Sequence, residues 1–242
     1  MSDTYSETYP NNSPTVKSLY DRANDILSTA SLPTGVTWVI HESLKDIEGF
    51  AHLPEDTRAN CLQLIANAGM CAMYQDREGT LRIEPLSDET NTNTDYEINS
   101  FNSYSKSEVT LSKPVKQVRV KVYKHSYSSE NGWESDSYYS IARGIPGVTN
   151  GEIVEVDNPL ITTSIDSDGI EDRSHPESVA EWLAKHLAHR VTLDSSWRAD
   201  VRLDALDIVR NESGYTNNRV RMTDVEFKYN GAFRGTGKGK VI

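Results

Sequence analysis

The chain has 242 residues, enough for one large domain or two small ones that each bury a core. A mean hydropathy of -0.59 and a hydrophobic content of 36% are low but still typical of a globular protein. The net charge of -11 argues against binding duplex DNA through a basic face, because phosphate neutralisation needs clustered Lys and Arg. We expect no signal peptide, and we expect no membrane span because no apolar run approaches the ~20 residues that one needs.

The first 30 residues predict an arm followed by a helix. Residues 1–13 are polar and rich in Ser, Thr and Asn, which predicts a flexible arm. Ser13 before Pro14 is a helix start signal, because Ser caps a first turn that tolerates Pro. Apolar residues then recur at helical spacing from Val16 to Ala30, and Leu32-Pro33 ends the helix.

A second helix and a hairpin follow as one compact unit. Asp56 or Thr57 is expected to cap the helix, and Gly69 lies where a left-handed residue ends one. Two apolar-rich runs then flank the four residues 76–79, which end in glycine and predict a β-hairpin. We therefore expect a small helix-and-hairpin α+β domain over residues 14–100.

Beyond a polar stretch at residues 87–108 the apolar period changes to two. Val118, Val120 and Val122 share one face of a predicted strand, and Asn131-Gly132 marks the tip of a long hairpin. A third helix is predicted over residues 176–190, with Val179, Leu183 and Leu187 facing inward. The remaining runs indicate antiparallel strands, although residues 219–226 do not reveal which face points inward. The sequence thus predicts an α+β, mainly β fold with an antiparallel, tube-like β-barrel domain and its packed helix over residues 101–242.

The closing stretch GAFRGTGKGKVI, residues 231–242, has glycines and lysines but lacks the spacing of a phosphate-binding loop. Five residues separate Gly231 from Gly237, and Gly239 stands where Ser or Thr is required. Alternation of glycines with Thr236, Lys238 and Lys240 instead predicts an edge or closing strand, on which lysine discourages stray pairing.

Candidate metal ligands are sparse. His175, His186 and His189 lie along one predicted helix without the His-Glu-x-x-His spacing, so solvated histidines are the favoured interpretation. Asp166 and Asp168 resemble the start of a calcium loop whose downstream bidentate Glu is missing. The favoured interpretation of these residues is an acidic loop ahead of a helix, whose N-terminus favours negative charge. A calcium site remains the open alternative. No cofactor is predicted.

Catalytic signatures are weak as well. Serine never occurs in a Gly-x-Ser-x-Gly context, and a catalytic carboxylate pair cannot be selected from 36 acidic residues by sequence. Cys61 and Cys71 are expected to be small buried thiols and not a disulfide. We expect a protein that is not an enzyme.

The order of the segments carries a resemblance to a known family. These segments are SLYDRANDIL, LPEDTRANCLQLIANAGMCAMYQDREGTLRIEPL, LSKPVKQVRVKVYKHSY, AEWLAKHL, WRADVRLDALDIVR and NRVRMTDVEFKYNGAFRGTGKGK. Together they cover about residues 16–242, and in this order they resemble the baseplate hub, or tail-tip hub, proteins of tailed bacteriophages and prophages.

The resemblance implies a fold and an assembly. Hub subunits of this kind carry two tube-like barrels with a helix-and-hairpin insert between them, and three subunits form a ring under the tail tube. This chain resembles the insert followed by the second barrel. It departs from the pattern because the residues before 14 are too few for a first barrel. It is therefore expected to be a piece of a longer hub or a hub with one barrel.

The resemblance also implies partners and a location. They are a homotrimer of the chain itself, a tail tube or distal tail protein, and a central spike, fibre or tape-measure protein, within the virion tail after synthesis in the host cytoplasm. Specific nucleic-acid binding is not expected, since an acidic wall would repel DNA that slides through the ring. The residues expected at interfaces are Tyr127, Trp133, Tyr138, Tyr139, Arg234, Lys238 and Lys240.

Two alternatives from other classes remain open. One is a tail-associated cell-wall hydrolase that acts through paired carboxylates. The other is a host-surface binding module that uses the Tyr- and Trp-rich residues 125–140, because exposed aromatic rings stack on sugars.

Overall fold

A computed structural model describes residues 3–6, 16–50, 53–86, 96–128, 132–164, 171–198, 202–212 and 217–242. The helices are α1 (Leu19–Ser28), α2 (Arg58–Ala68) and α3 (Ser174–Ala188), with a 3₁₀ helix at Glu42–Asp46. The strands are β1 (Thr4–Tyr5), β2 (Trp38–Ile40), β3 (Asp56–Thr57), β4 (Cys71–Gln75), β5 (Leu81–Pro85), β6 (Tyr96–Ile98), β7 (Glu108–Leu111), β8 (Val115–Ser128), β9 (Gly132–Gly144), β10 (Glu152–Ser164), β11 (Val191–Arg198), β12 (Ile208–Glu212), β13 (Asn217–Tyr229) and β14 (Phe233–Val241). The predicted class, α+β and mainly β, is confirmed. None of the helices in these ranges is long and apolar enough to cross a membrane.

The chain divides into two compact units that interleave along the sequence. The first unit consists of residues 1–85 and 115–186, and the second of residues 86–114 and 187–242. This division differs from the linear one expected from the sequence, so the domain boundaries at 14–100 and 101–242 stay a prediction. Within the expected arm, residues 4–5 form β1, which pairs with β3.

Helix α1 begins later than its sequence predicts. Ser13 and Pro14 lie outside the described residues, and the helix starts at Leu19, with the Ser18 hydroxyl accepting a hydrogen bond from the Asp21 amide at 3.1 Å. The backbone before it is occupied elsewhere, because Ser18 forms a β-bridge with Glu48. Pairing with this segment therefore takes the backbone groups that an earlier helical turn would need.

Helix α2 confirms the predicted cap and corrects the predicted exit. Thr57 is the N-cap, and its hydroxyl accepts from the Asn60 amide at 3.3 Å. Gly69 ends the helix, but its φ is -83°, and the left-handed residue is Met70 with a φ of 55°. Glycine is required at 69 for another reason, since the Leu44 side chain occupies the space of a Cβ.

The predicted hairpin at residues 76–79 is confirmed. Strands β4 and β5 pair antiparallel, and β2 adds to β5 in parallel to complete a three-stranded sheet. Asp76 Oδ1 accepts from the amides of Glu78 (3.0 Å) and Thr80 (2.9 Å), and Gly79 supplies the positive φ of 86°. A short Asx-type turn thus fixes the register of the hairpin.

A second three-stranded sheet in the first unit has the order β10-β8-β9. Val118, Val120 and Val122 are fully buried on one face of β8, as the alternation predicted. Strands β8 and β9 pair antiparallel, which confirms the long hairpin, although Asn131 lies outside the described residues. Strand β10 runs parallel to β8, so the prediction of antiparallel strands is wrong for this pair. No turn signal in the sequence indicates the pairing.

Helix α3 spans Ser174–Ala188, against the prediction of 176–190. Val179 is buried as predicted, but Ala180 and Ala184 complete the buried stripe with Pro176, whereas Leu183 is half-buried. The small alanines of the helix therefore face inward, and the larger Leu183 lies at the edge of the buried stripe. Close approach of the helix backbone explains why small side chains are the buried ones.

The second unit is a six-stranded sheet with the order β6-β12-β13-β14-β11-β7. Its core contains Ile98, Leu193, Trp197, Leu203, Val209, Val220 and Met222. Strand β14 lies between β13 and β11, so of the two positions predicted for this segment, an edge or a closing strand, the edge is wrong. Among the described residues the pairing leaves β6 and β7 as open edges, and the predicted barrel therefore remains a prediction.

A β-bulge in β13 decides which residues face inward. The register with β14 shifts between Met222 and Asp224, so Thr223 is the extra residue. Val220 and Met222 are buried before the shift, and Val225 and Phe227 pack on the same core after it. A bulge exchanges the alternating faces of a strand, which is why sequence alternation alone left the inward face open.

Candidate assembly surfaces

The predicted interface residues on β8 and β9 come from one hairpin but do not share one surface. Tyr127 and Trp133 are paired in register, although their side chains lie outside the described set. Tyr138 is 65% exposed, whereas its neighbour Tyr139 is half-buried on the opposite face. Successive residues of a strand point to opposite faces, so these two tyrosines cannot contact one partner in the same way.

Tyr138 belongs to a polar cluster on the exposed face. The Lys121 ammonium lies 4.3 Å from the centre of the Tyr138 ring and 4.7 Å from that of Tyr123. Lys121 Nζ also lies 3.1 Å from Asp157 Oδ2, and the Tyr123 hydroxyl donates to Asp157 Oδ1 at 2.5 Å. The hydrogen bond from Tyr123, with that from Lys121, holds the pKa of Asp157 below its usual value. These contacts hold the side chains of the cluster in one arrangement.

This cluster borders a cleft of about 460 Å³. Its walls consist of Arg119, Lys121, Tyr138, Ser140, Ala142, Glu155, Val156 and Asp157. The charges in it are matched in pairs, since Arg119 lies 3.6 Å from Glu155 and Lys121 contacts Asp157. Such a surface suits polar contacts with a tyrosine ring at the rim.

Tyr139 instead lies in an ion-pair network. Arg173 and Lys124 lie 4.8 Å and 5.4 Å from the centre of its ring, and both contact Glu171, at 2.9 Å and 3.2 Å. Burial and the Glu171 carboxylate raise the pKa of Tyr139 to about 12. The phenol therefore stays neutral at physiological pH.

The cations of β14 lie on one exposed face. Arg234, Lys238 and Lys240 alternate with Gly235, Gly237 and Gly239, all three of which are buried. Lys238 stands between Asp224 of β13 and Asp194 of β11, and its Nζ lies 3.8 Å from Asp194 Oδ2. Cross-strand charge pairing on a solvated face explains Lys238, and close packing against the core explains the glycines.

Sequence reasoning missed a group of exposed aromatic side chains at one end of the six-stranded sheet. Phe101 is 88% exposed, Tyr229 71% and Phe233 53%, and the ring centres of Tyr229 and Phe233 are 5.1 Å apart. The Arg234 guanidinium lies 5.3 Å from the centre of the Tyr104 ring. Residues 101–104 and 229–234 are far apart in the chain, so no local pattern could have grouped them.

The candidate metal ligands do not assemble. His175 Nε2 lies 2.8 Å from the carbonyl oxygen of Ala68, so the prediction of a solvated helix histidine is wrong for this residue. His186 packs edge-on against Trp182, with 4.8 Å between ring centres. Asp166 and Asp168 lie outside the described residues, and within those described no three His, Cys, Asp or Glu side chains are placed to hold a metal ion.

The two cysteines are buried thiols that form no disulfide, as predicted. Burial raises the pKa of the Cys71 thiol to about 11. A thiol in that environment is protonated at neutral pH and unreactive. Cys71 therefore serves in packing.

No protein-family model and no curated protein matches the sequence, but solved structures do. One is the 43 kDa tail protein of prophage MuSo2 from Shewanella oneidensis, at a TM-score of 0.60 and 10% identity. Another is the tail protein from Neisseria meningitidis MC58, at 0.63 and 11%. This chain has the fold of these tail proteins. Each match covers 97% of this chain and 69% of the other.

Proposed function

We propose that this protein is a structural component of a phage tail, a baseplate or tail-tip hub subunit that joins the tail tube to the central spike or fibre and lines the DNA conduit. The observation that carries the proposal is the fold, which is shared over 97% of the chain with two tail proteins, one of them from a prophage. The order of sequence segments, which resembles hub proteins, supports it independently. We place the protein in the virion tail.

The charge distribution supports a conduit wall. Residues of the first unit include 24 acidic and 13 basic side chains, whereas the second unit has 12 of each. The net charge of -11 therefore resides in the first unit. A surface of that sign repels a passing DNA backbone, which favours sliding over sticking.

The open sheet of the second unit supports assembly into a ring. Strand β7 is an edge, and its Val109 and Leu111 are 59% and 62% exposed. An exposed apolar edge strand pairs readily with another chain. A ring of identical chains needs a heterologous contact that closes, and we propose that β7 takes part in it.

In this proposal the chain forms a homotrimer, and the six-stranded sheet belongs to a tube-like barrel. Its further partners are a tail tube or distal tail protein on one side and a spike, fibre or tape-measure protein on the other. The contact residues proposed from the sequence remain Tyr127, Trp133, Tyr138, Tyr139, Arg234, Lys238 and Lys240.

A host-surface binding module is the second candidate. The observation that favours it is Tyr138, which lies exposed beside the cleft of about 460 Å³. Aromatic rings next to polar groups bind sugars by stacking and hydrogen bonding. This candidate requires a monomer that adsorbs to cells. The mass of the protein in solution and its position in the particle therefore distinguish it from a hub.

The test has two parts. Electron cryo-microscopy of the intact particle is expected to place the chain on the tail axis. Light scattering of the purified chain is expected to give the mass of a trimer. The double variant V109K/L111K is expected to lower the mass toward that of a monomer, while V39K, on an exposed valine of β2, leaves the mass unchanged. A chain located away from the tail axis, or monomeric with cell-wall hydrolysis or cell adsorption, contradicts the hub.

A further inference from the structure

One end of the six-stranded sheet, named here the sheet tip, combines exposed aromatic and cationic side chains. It consists of Phe101, Tyr104, Arg198, Lys228, Tyr229, Phe233 and Arg234. Arg234 lies in register with Lys228 of β13 on one side and with Arg198 of β11 on the other. Three cations thus stand side by side across three strands, an arrangement that costs free energy in the isolated chain.

The contacts of these cations within the unit are weak. Lys228 Nζ lies 3.1 Å from Glu226 Oε1, with both side chains more than half exposed, and Arg234 lies over the Tyr104 ring. An exposed ion pair stabilises a fold by about 0–1 kcal/mol. The fold therefore gains little from placing the three cations together, which indicates a role toward a partner.

The aromatic side of the tip continues the core face of the sheet into solvent. Val225 and Phe227 pack on the core, and Tyr229 is the next residue of that alternation. Phe233 is its cross-strand partner, and Phe101 adjoins Asn102, whose carbonyl oxygen accepts a hydrogen bond from the amide of Arg198. All three aromatic side chains are more than half exposed. Aromatic side chains with arginine are the residues that dominate binding energy in the centres of protein interfaces.

We propose that the sheet tip docks on the acidic first unit of a second copy of this chain. Charge complementarity selects this occupant, because the first unit carries the whole net charge of -11 and the tip presents three clustered cations. The inference rests on the proposed function, since it names the surface by which identical chains assemble. The tip and its target belong to different units, so the contact is heterologous and propagates from copy to copy.

Nucleic acid fits the tip less well. Duplex binding draws on many phosphate contacts, whereas the tip offers three cations with Glu226 among them. The remainder of the chain is acidic and repels a phosphate backbone. Oligonucleotide binding is accordingly the competing outcome.

Two tip variants and one matched control test the proposal. K228E/R234E reverses two cations of the tip, and Y229S/F233S removes two of its aromatic rings. R202E/R210E makes the same charge change at exposed positions near β6 and β12, away from both the tip and β7. We expect each tip variant to weaken self-association by about tenfold or more, and the control to leave it unchanged. Association of the unmodified chain is expected to weaken as salt is raised, since salt screens the charges. Unchanged melting temperatures confirm that the variants fold.

A photo-crosslink identifies the occupant. Benzoylphenylalanine in place of Tyr229, in a mixture of isotopically light and heavy chains, is expected to join the tip to a first-unit peptide of another copy. A monomeric parent chain, a crosslink to the second unit, or tip variants that associate normally overturn the inference. So does binding of a fluorescent oligonucleotide that K228E/R234E abolishes. Failure of the tip variants alone leaves the hub proposal intact, because location on the tail axis tests that separately.

Discussion

Gly235 of β14 lies directly against the indole of Trp197 on β11. The two residues are cross-strand partners, and a Cβ added to Gly235 would lie 2.5 Å from Trp197 Cε2 and 2.8 Å from its Nε1. Trp197 is 2% exposed and central to the core of the second unit. The absence of a side chain at Gly235 thus makes room for the largest side chain in this core.

The G235A variant is expected to lower the free energy of unfolding by about 1–3 kcal/mol, because the indole must shift in a close-packed core. Urea denaturation followed by tryptophan fluorescence measures the change. T236A, on the opposite face of the same strand, serves as the control and is expected to stay within about 0.5 kcal/mol. A G235A midpoint equal to that of the parent would mean that the indole has free space beside it.

Asp76 is expected to make the stability of the first unit pH-dependent. Its hydrogen bond from Arg82 at 2.7 Å lowers the pKa of the carboxyl below its usual 3.8, and the amides of Thr80 and Glu78 add to this. A group with a lowered folded-state pKa contributes stability above its unfolded pKa and loses it as pH falls through the folded value. The difference in unfolding free energy between the parent and D76N is therefore expected to shrink below about pH 4.

The D76A variant separates the turn from the ion pair. The asparagine introduced by D76N keeps an oxygen for the amides of Glu78 and Thr80, whereas alanine leaves both without it. We expect D76A to be less stable than D76N by about 1–3 kcal/mol at neutral pH. Equal denaturation midpoints for the two variants would show that the turn amides find water equally well.

His175 is expected to make the stability of the first unit depend on pH just below neutrality. Burial lowers its pKa below 6.5, although Asp172 and the bond to the Ala68 carbonyl oppose the shift. A carbonyl only accepts, so the neutral ring donates from Nε2. As the pH falls below about 6.5, His175 binds a proton in the unfolded state before it does so in the folded state. The free energy of unfolding therefore declines from that pH down to the pKa of the folded state.

The H175Q variant tests this because glutamine can still donate to the carbonyl of Ala68 without titrating. Thermal melts of both proteins between mildly acidic and neutral pH give the comparison. We expect the parent to lose more stability than H175Q over that range. Parallel curves would place the His175 ring in a site where its charged form is tolerated.

Thr57 is expected to contribute to the stability of α2 through its cap. Loss of its hydroxyl in T57A leaves the Asn60 amide without its acceptor, which costs about 1 kcal/mol of unfolding free energy. T57S keeps the oxygen and is the matched control. Circular dichroism during urea titration measures the stability of both variants. A T57A midpoint equal to that of T57S would show that the cap contributes nothing to stability.

Short-range chemistry made several elements predictable. The cap at Thr57, the turn at residues 76–79 and the alternating valines of β8 each depend on residues within a few positions of one another. Their signals are hydrogen bonds and periodicities that survive in any tertiary context. Those predictions were correct for that reason.

The errors and the question that the sequence left open have a common cause. The start of α1 was displaced by pairing with residue 48, the inward face of β13 was set by a bulge against β14, and His175 found its acceptor on α2. In each case a partner distant in sequence supplied the deciding hydrogen bond. Local patterns contain no information about such a partner.

The sequence by itself determined the α+β class, the hairpins of β4 with β5 and β8 with β9, the glycine–lysine alternation of β14 and the acidic charge. Tertiary structure alone decided that β14 is a central strand, that β10 pairs in parallel with β8, and that Tyr104 meets Arg234 at the sheet tip. The physical reason is that strand pairing joins segments across long stretches of chain. Its free energy comes from surfaces that exist after the chain has folded, whereas turns and caps draw theirs from neighbours in the sequence.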